Sequence, residues 1–147
     1  MKIILSLLLS WFTFLAAAAQ NNPNAILGKW MTVQNNLEVE VYKQDNDFKA
    51  KIVWFKDTDD KSRPMSERRD EKNPDPKLRS RKWIGMEVLK GMKYYPHDNE
   101  WADGTIYDAK SGKEWSSVAW LAKDNLLKVK GYWMFRFLCQ TLTFKKV

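Results

Sequence analysis

The stretch Gly104–Trp133, GTIYDAKSGKEWSSVAWLAKDNLLKVKGYW, alternates apolar and polar side chains in three short segments with turn residues between them. A period of two residues is typical of β-strands. The connections AKSG and KDN are so short that the strands on either side of each must be antiparallel neighbours. This part of the sequence therefore predicts a β-meander, which continues into RFLCQTLTFKK at Arg136–Lys146.

The same alternation extends toward the N-terminus. LEVEVYK at Leu37–Lys43 and DFKAKIVWF at Asp47–Phe55 are predicted to form a hairpin whose second strand points Phe48, Ala50, Ile52 and Trp54 inward. GKWMTV near the start and WIGMEVLKG in the middle bring the total to about eight strands. The pattern predicts an all-β, eight-stranded antiparallel up-and-down barrel, because closure removes exposed sheet edges. An open two-sheet sandwich is the alternative.

One long segment, Lys56–Lys82, lacks this pattern and is predicted to be a loop. Near its end, Asp75 suits a helix N-cap and Pro76 suits a first helical position. We therefore expect a short helix from Asp75 to Arg81, with its cations toward the C-terminal end, where the helix dipole favours them.

The first 19 residues carry one early Lys, an apolar run and a series of alanines, the pattern of a cleavable signal peptide. The expected organisation is a signal peptide at 1–19 and one domain at 20–147, exported to the periplasm or the extracellular space. No transmembrane segment is expected in the mature chain. With Lys2 removed, 24 basic and 18 acidic residues give the domain a net charge of +6. Cys139 is the only cysteine, so no internal disulfide can form.

Aromatic side chains make up 14% of the sequence, and an eight-stranded barrel is either filled by side chains or holds one small ligand. The residues expected to contact such a ligand are Trp54, Tyr107 and Trp115, with Arg79 and Arg81 near the barrel mouth. Structural roles are expected for the hairpin residues Asp108 and Gly112, and for the inward-facing Gly131.

Several motifs in order resemble the secreted bacterial family called domain of unknown function 2147. They are GKW at Gly28–Trp30, KIVW at Lys51–Trp54, NPDPKLRSR at Asn73–Arg81, IGMEVLKG at Ile84–Gly91, WADGTIYDAKSGKEW at Trp101–Trp115 and LKVKGY at Leu127–Tyr132. The resemblance covers essentially the whole mature chain. It implies a lipocalin-like barrel and brings no established activity or catalytic residue.

Gly28 and Trp30 also resemble the Gly-x-Trp that opens many lipocalins, where an Arg of the last strand lies over the Trp. Family members tend to end with a Trp and then an Arg two residues later, whereas this sequence has Leu142 and Phe144 in those places. The resemblance therefore leaves Lys145 and Lys146 as the candidates to replace that Arg.

Known catalytic and metal-binding patterns find little support in the sequence. Cys139 and His97 would have to form a nucleophilic pair across distant segments. Neither the spacing of a zinc site nor that of an EF-hand is present, so no metal and no cofactor are expected. Glu100, Asp103 and Asp108 lie near aromatic residues and keep a glycan-acting hydrolase as an alternative. Acidic residues are spread among the cations, which argues against nucleic-acid binding.

The function expected from these observations is binding rather than catalysis. The first hypothesis is capture of a small apolar or amphiphilic envelope molecule inside the barrel, with the cations meeting an anionic head group. The second is a filled barrel that acts as a structural or interaction protein, with its basic loop contacting an anionic component of the cell envelope. The hydrolase is the third.

Overall fold

The computed structural model describes residues 21–58, 63–132 and 139–147, and these residues form eight antiparallel strands in a closed barrel. In chain order the strands are β1 Gly28–Thr32, β2 Leu37–Gln44, β3 Asp47–Phe55, β4 Glu87–Tyr95, β5 Glu100–Asp108, β6 Lys113–Leu121, β7 Leu127–Tyr132 and β8 Cys139–Lys146. Each strand pairs with the next, and β1 pairs with β8 through Trp30 opposite Lys146 and Thr32 opposite Phe144. The predicted eight-stranded up-and-down barrel is confirmed.

Asn and Asp residues form the tight turns between strands. Asn35, Asp45, Asn99 and Asn125 have φ values of 53°, 55°, 51° and 59°, in the left-handed region that their short polar side chains tolerate. Because every connection reverses the chain, the turns fall at two opposite ends of the barrel. The end with the long loop between β3 and β4 is called the loop end, and the other is called the closed end.

A 3-10 turn at Pro23–Ile26 covers the closed end. Ile26 is 1% exposed, and its carbonyl oxygen accepts a hydrogen bond of 2.7 Å from Nε1 of Trp30. Nε1 of Trp101 donates to the carbonyl oxygen of Pro23 at 3.0 Å. Two buried indoles thus satisfy their only donors on the backbone of this turn, which fixes it to the barrel.

Lys146 completes the closed end from the last strand. Its Nζ lies 4.6 Å from the centroid of the Trp30 ring and donates to the carbonyl oxygen of Leu27. A Cβ added to Gly28 would lie 3.4 Å from the same Nζ, an ordinary contact, so glycine is favoured here by its φ of 110° and not by the lysine. Of the two candidates in the sequence, the structure selects Lys146 as the cation over Trp30.

The core is most tightly packed toward the closed end. One cluster contains the buried residues Ile26, Trp30, Val39, Val41, Phe48, Ala50, Leu89, Met92, Trp101, Ala119, Leu127 and Phe144. A second, smaller cluster joins the ends of β3 and β5 to the loop through Ile52, Phe55, Trp83, Met86, Tyr107 and Ala109. The loop is therefore packed on the barrel at apolar contacts.

The helix expected from Asp75 to Arg81 is shorter in the structure. It is one 3-10 turn at Pro76–Leu78, for which the Asp75 side chain accepts a hydrogen bond from the amide of Lys77. A second 3-10 turn lies earlier in the loop, at Met65–Glu67. The helix ends early because the chain turns back to place Arg81 on Asp70, an interaction that the local sequence pattern does not reveal.

The predicted signal peptide at 1–19, the first residue of the predicted domain and the Cys139 side chain lie outside the described residues. Within the described ranges, none of the helical segments is long and apolar enough to cross a bilayer.

Candidate functional site

The inward face of β5 to β8 can be read from the register of these strands. Trp115, Ser117 and Ala119 of β6 lie opposite Ile106, Gly104 and Trp101 of β5. Trp101 is buried against Phe48 with ring centroids 6.3 Å apart, so this face points into the barrel. On the other side of β6, Ser117 lies opposite Gly131 and Ala119 lies opposite Val129.

Burial along this face is uneven. Ala119, Leu127 and Phe144 are buried, whereas Ile106, Trp115 and Gly131 are half-buried and Leu142 is 43% exposed. The set Ile106, Trp115, Ser117, Gly131 and Leu142 is called the inner wall. Its apolar residues keep accessible surface, as does Val129 opposite Leu142.

Small side chains at the centre of the inner wall leave space inside the barrel. A Cβ added to Gly131 would lie 3.6 Å from Cβ of Trp115 and 3.9 Å from Cδ1 of Ile106, both ordinary contact distances. Gly131 therefore leaves space for at least a methyl group beside Cβ of Trp115. By contrast, a Cβ on Gly104 would lie 2.3 Å from Cγ of Met92, so the methionine already fills the space over that glycine.

Ser117 supplies the polar group of the inner wall. It is 0% exposed, and its Oγ has no hydrogen-bond partner among the described residues. A buried hydroxyl without a partner costs roughly 1–3 kcal/mol. The alternation of the strand does not reveal that this hydroxyl lacks a partner.

Trp54 does not lie on the inner wall. The register between β2 and β3 shifts at Glu38 and Val39, so that Trp54 lies opposite Glu38 and Phe55 lies opposite Leu37. Phe55 is 8% exposed, and Trp54 is on the other, outer face of the strand. A β-bulge reverses the alternation that places Trp54 inward, and the structure does not bring Trp54 and Trp115 together.

Tyr107 lies on the outer face, opposite Glu114, whose carboxylate forms a 2.8 Å ion pair with Lys90. The second half of the loop covers this tyrosine. A cleft of about 150 Å³ remains between the loop and the outer face, and it is lined by Asn73, Pro74, Leu78, Arg81, Glu87, Val88, Lys90, Thr105, Tyr107 and Glu114. The loop therefore packs on the outside of β4 to β6.

A buried carboxylate holds the loop there. Asp70 is 0% exposed and accepts hydrogen bonds from the Tyr107 hydroxyl at 2.5 Å, Nη2 of Arg81 at 2.7 Å and Nδ2 of Asn73 at 2.8 Å. The Arg81 guanidinium also lies 5.6 Å from the centroid of the Tyr107 ring. With three donors on one carboxylate, this group is a cross-link between the loop and the barrel wall.

The two arginines expected at the barrel mouth both serve the loop. Arg81 binds Asp70, and Nε of Arg79 donates to the carbonyl oxygen of Asn73 at 2.8 Å. Burial, followed by the hydrogen bond to Asp70, raises the pKa of Tyr107 to about 12. The phenol is therefore held protonated, as a donor to the carboxylate. Asp70 and Asn73 lie in the charged sequence ERRDEKN, whose composition hides their burial.

The other predicted structural residues lie in turns. Asp108 accepts hydrogen bonds from the amide of Lys110 at 3.0 Å and from the hydroxyl of Ser111 at 2.6 Å. Gly112 has φ of 72°, and a Cβ there would lie 2.0 Å from the carbonyl oxygen of Lys72. The hairpin between β5 and β6 thus abuts the loop.

The acids considered for glycan hydrolysis have other contacts. Asp108 caps its hairpin, and Asp103 accepts a hydrogen bond from the Tyr95 hydroxyl. Asp103 has φ of 61° in the middle of β5, where the register shifts, so it belongs to a bulge. Glu100 begins β5 at the closed end and Asp108 ends it at the loop end, about 26 Å away at 3.3 Å per residue, too far for a catalytic pair.

His97 and Cys139 lie at opposite ends of the barrel. His97 is in the turn between β4 and β5 at the closed end, and Cys139 begins β8 at the loop end. The backbone thus separates the two residues by the length of the barrel. Within the described part of the chain, no three His, Cys, Asp or Glu residues group as a metal site would require.

Comparisons with known proteins agree with this architecture. The profile of a family described as an uncharacterized protein conserved in bacteria (DUF2147) matches residues 28–146. A solved structure, described as protein HP1028 from the human pathogen Helicobacter pylori and as belonging to the lipocalin family, is similar over 82% of each chain, with a TM-score of 0.69 and 20% identity. No curated protein matches the chain. At this identity the structural match shows a lipocalin-like fold.

Proposed function

Because this chain belongs to the DUF2147 family, whose description assigns no activity, we propose from the geometry of its own barrel that it binds one small apolar or amphiphilic molecule at the inner wall. The lipocalin-like fold is consistent with ligand binding. Of the five residues expected to contact a ligand, Trp115 is the one that lies on the inner wall. The proposed role is binding without catalysis.

The observation that carries the proposal is the difference between the two halves of the barrel interior. Side chains fill the closed end, where Trp30 and Trp101 are 2% and 1% exposed. At the loop end, Trp115 and Ile106 are only half-buried beside the space left by Gly131. An apolar surface inside a barrel gains about 25 cal/mol for each Å² that a ligand removes from water.

Ser117 suggests the chemistry of the ligand. A hydroxyl both donates and accepts, so one polar atom on an otherwise apolar molecule can form the hydrogen bond that this side chain lacks. Because Ser117 is fully covered, such a ligand reaches its hydroxyl only when a neighbouring side chain moves. Met92 lies over the adjacent Gly104, and its unbranched side chain changes rotamer at low cost. This arrangement supports a ligand that is mainly apolar.

Titration with N-phenyl-1-naphthylamine, an uncharged fluorescent probe, tests this proposal. Gly131→Leu places a side chain in the space beside Trp115 and is expected to weaken probe binding by at least about tenfold. Ser116→Leu is the matched control, since it adds the same side chain to the outer face of the neighbouring strand. Equal affinities of the two variants would place the probe outside the barrel.

Native mass spectrometry of protein purified from its own cells provides a second test. A small molecule that co-purifies with the wild type and is lost in Gly131→Leu supports the proposal. Repeated recovery of empty protein, together with no fluorescence response to the probe or to fatty acids, would contradict it. That result favours the alternative of a filled barrel with a structural or interaction role in the cell envelope.

We also propose that the protein is exported and that residues 1–19 are removed on export. The composition of this segment supports the proposal. N-terminal sequencing of protein recovered from the periplasm or the medium is expected to begin at Gln20. Recovery of the intact N-terminus from the cytoplasm would contradict export.

A further inference from the structure

A second cavity, of about 200 Å³, lies between the loop and the hairpin that joins β5 to β6. It is called the basic pocket and is lined by Arg68, Arg69, Glu71, Lys72, Trp83, Ala109 and Lys110. Its lining does not overlap with the inner wall. A ligand here would therefore be separate from the one proposed for the barrel interior.

The two sides of the basic pocket are held together by backbone contacts. The amide of Asp70 donates to the carbonyl oxygen of Arg81 at 2.9 Å, and the amide of Trp83 donates to that of Arg68 at 3.0 Å. These bonds pair the two loop segments that form one side. On the other side, Gly112 brings the hairpin against the carbonyl oxygen of Lys72. The pocket is consequently a built feature and not a gap between mobile side chains.

Cations dominate the lining, with four basic side chains and one acid. Some of this charge is compensated, because Arg68 pairs with Asp57 at 3.4 Å and Arg69 pairs with Glu67 at 3.6 Å. The one acid, Glu71, forms a 2.8 Å ion pair with Arg63. Lys72 has no ion-pair partner among the described residues. The electrostatic field in the pocket therefore favours an anion.

Trp83 provides an independent indication of a ligand. Its ring is 7% exposed and is packed between Phe55, at 5.1 Å between centroids, and the Arg68 guanidinium, at 4.8 Å from the ring centroid. Its Nε1 is buried without a hydrogen-bond partner among the described residues. An indole nitrogen only donates, so the missing partner is an acceptor. Because this nitrogen is fully buried, an anionic oxygen in the pocket reaches it only when a neighbouring side chain moves. Such an oxygen then meets both this requirement and the charge of the lining.

We propose that the basic pocket binds a phosphate group. A tetrahedral phosphate offers acceptors in several directions, which suits the lysine and arginine donors of the lining. The cavity exceeds the roughly 30 Å³ that one water molecule takes up in the liquid and is smaller than the 300 Å³ or more of pockets for drug-sized ligands. The phosphate is either free, as in a phosphomonoester, or part of a lipid head group.

The indole N–H signal of Trp83 in a ¹H–¹⁵N NMR spectrum gives a direct test on the full mature chain. Inorganic phosphate at millimolar concentration is expected to shift this signal in a saturable way, while chloride at equal ionic strength leaves it in place. Trp83→Phe identifies the signal by its absence. If that variant does not fold, a spin label on Ser80→Cys in a Cys139→Ser background identifies the signal by relaxation, because position 80 is three residues from Trp83.

Lysine variants decide whether the effect belongs to the pocket. Lys72→Gln is expected to weaken phosphate binding by about tenfold. Lys93→Gln makes an equal charge change at an exposed residue of β4 and is expected to leave phosphate binding unchanged. No shift of the Trp83 signal with phosphate, or equal weakening by the two variants, would overturn the proposal. Because the readout is at Trp83, the outcome does not depend on whether the barrel binds the naphthylamine probe.

Two further titrations distinguish the sources of the phosphate. Glycerol 3-phosphate that shifts the Trp83 signal without any binding of phosphatidylglycerol vesicles supports a free ligand. Vesicle binding that Lys72→Gln abolishes and Lys93→Gln preserves supports a lipid head group. Vesicle binding that both variants weaken equally, with no effect of glycerol 3-phosphate on Trp83, would show general surface attraction and overturn the proposal.

Discussion

Ser116 and Ser117 are neighbours of one residue type in β6, yet they lie on opposite sides of the barrel wall. Ser116 is exposed, whereas Ser117 is 0% exposed and its hydroxyl has no partner among the described residues. Loss of the hydroxyl should therefore affect stability differently at the two sites. It should have little effect at Ser116, whereas at Ser117 it removes an unsatisfied polar group from the interior.

Ser117→Ala is expected to raise the free energy of unfolding in urea by about 1 kcal/mol, because the folded state no longer buries an unpaired hydroxyl. The matched variant Ser116→Ala is expected to change it by less than about 0.5 kcal/mol. If Ser117→Ala instead lowers the stability by 1 kcal/mol or more, the hydroxyl has a partner in solution.

Tyr107 predicts a pH dependence of stability. Its pKa rises from the ordinary value of 10 to about 12, first because of burial and then because of the hydrogen bond to Asp70. Since the folded state favours the protonated phenol, this contribution to stability is complete below pH 10 and is lost as the pH rises through 12. The stability difference between the wild type and Tyr107→Phe is therefore constant below pH 10 and shrinks between pH 10 and 12.

Denaturant unfolding at a series of pH values measures this difference, and absorbance of the phenolate follows the titration itself. Tyr42 is the internal reference, because burial and its hydrogen bond to Glu87 also raise its pKa to about 12. Tyr107→Phe should remove one of the late-titrating phenols and leave that of Tyr42. A stability difference that is the same at pH 9 and at pH 12 would contradict the proposed contact with Asp70.

Among the elements, the loop between β3 and β4 contacts the hairpin between β5 and β6 at Gly112. Gly112 and Gly85 have φ values of 72° and 81°, so an alanine at either position is strained by about 1 kcal/mol. Only at Gly112 would the new Cβ meet another atom, the carbonyl oxygen of Lys72 at 2.0 Å. Comparing the alanine variants of Gly112 and Gly85 therefore distinguishes the effect of backbone strain, which both have, from that of the steric clash, which only Gly112→Ala has.

Gly112→Ala is expected to destabilise the protein by about 2 kcal/mol more than Gly85→Ala, because the hairpin has to move away from the loop. Thermal or urea unfolding measures the difference. Equal losses in the two variants would mean that the hairpin and the loop are not in contact in solution.

The sequence predicts most of the strands but not the bulges within them. The alternation in β3 is correct up to Ile52 and then shifts, because the bulge opposite Glu38 and Val39 puts Phe55, and not Trp54, on the buried side. The period of two contains no information about where an extra residue enters. The helix at Asp75–Arg81 fails for another reason, since Arg81 is drawn away by Asp70, eleven residues earlier.

The candidate site was less predictable than the fold. Trp115 and Gly131 could be assigned to the interior because each continues a regular strand. Tyr107 lies in the regular part of β5, after the bulge. It is buried on the outer face because the loop packs against it. Asp70 is a buried anion inside a run of charges, which composition alone assigns to solvent. Such positions are decided by long-range contacts.

For the molecule as a whole, stability should be unevenly distributed between the barrel and its loop. The closed end contains the larger apolar cluster, including Trp101 and Ala119. The second half of the loop is attached to the barrel through the cross-link of Asp70 with Tyr107 and through the smaller apolar cluster. The pairing of Arg69 with Lys82 joins two segments of the loop itself. Regions with fewer buried apolar contacts open at a lower free energy than the core.

Native-state hydrogen exchange as a function of urea tests this distribution. The amides of β5 and β6 near Trp101 and Ala119 are expected to exchange only through global unfolding. The amides of Asp70 and Trp83, which bond to loop carbonyl oxygens, are expected to exchange at a free energy at least about 1 kcal/mol lower. Identical free energies for both groups would show that the loop and the barrel unfold as one unit.

The pairing of β1 with β8, which includes the contact of Lys146 with Trp30, also determines when the barrel can close during synthesis. β1 pairs with β2 on one side and with β8, the last strand, on the other. Next to β8, the amide of Val147 donates to the carbonyl oxygen of Lys29 at 3.1 Å. During synthesis, therefore, the chain carries an unpaired edge on β1 until β8 has left the ribosome or a translocation channel. A chain that lacks the nine residues from Cys139 to Val147 has no β8 and cannot close the ring.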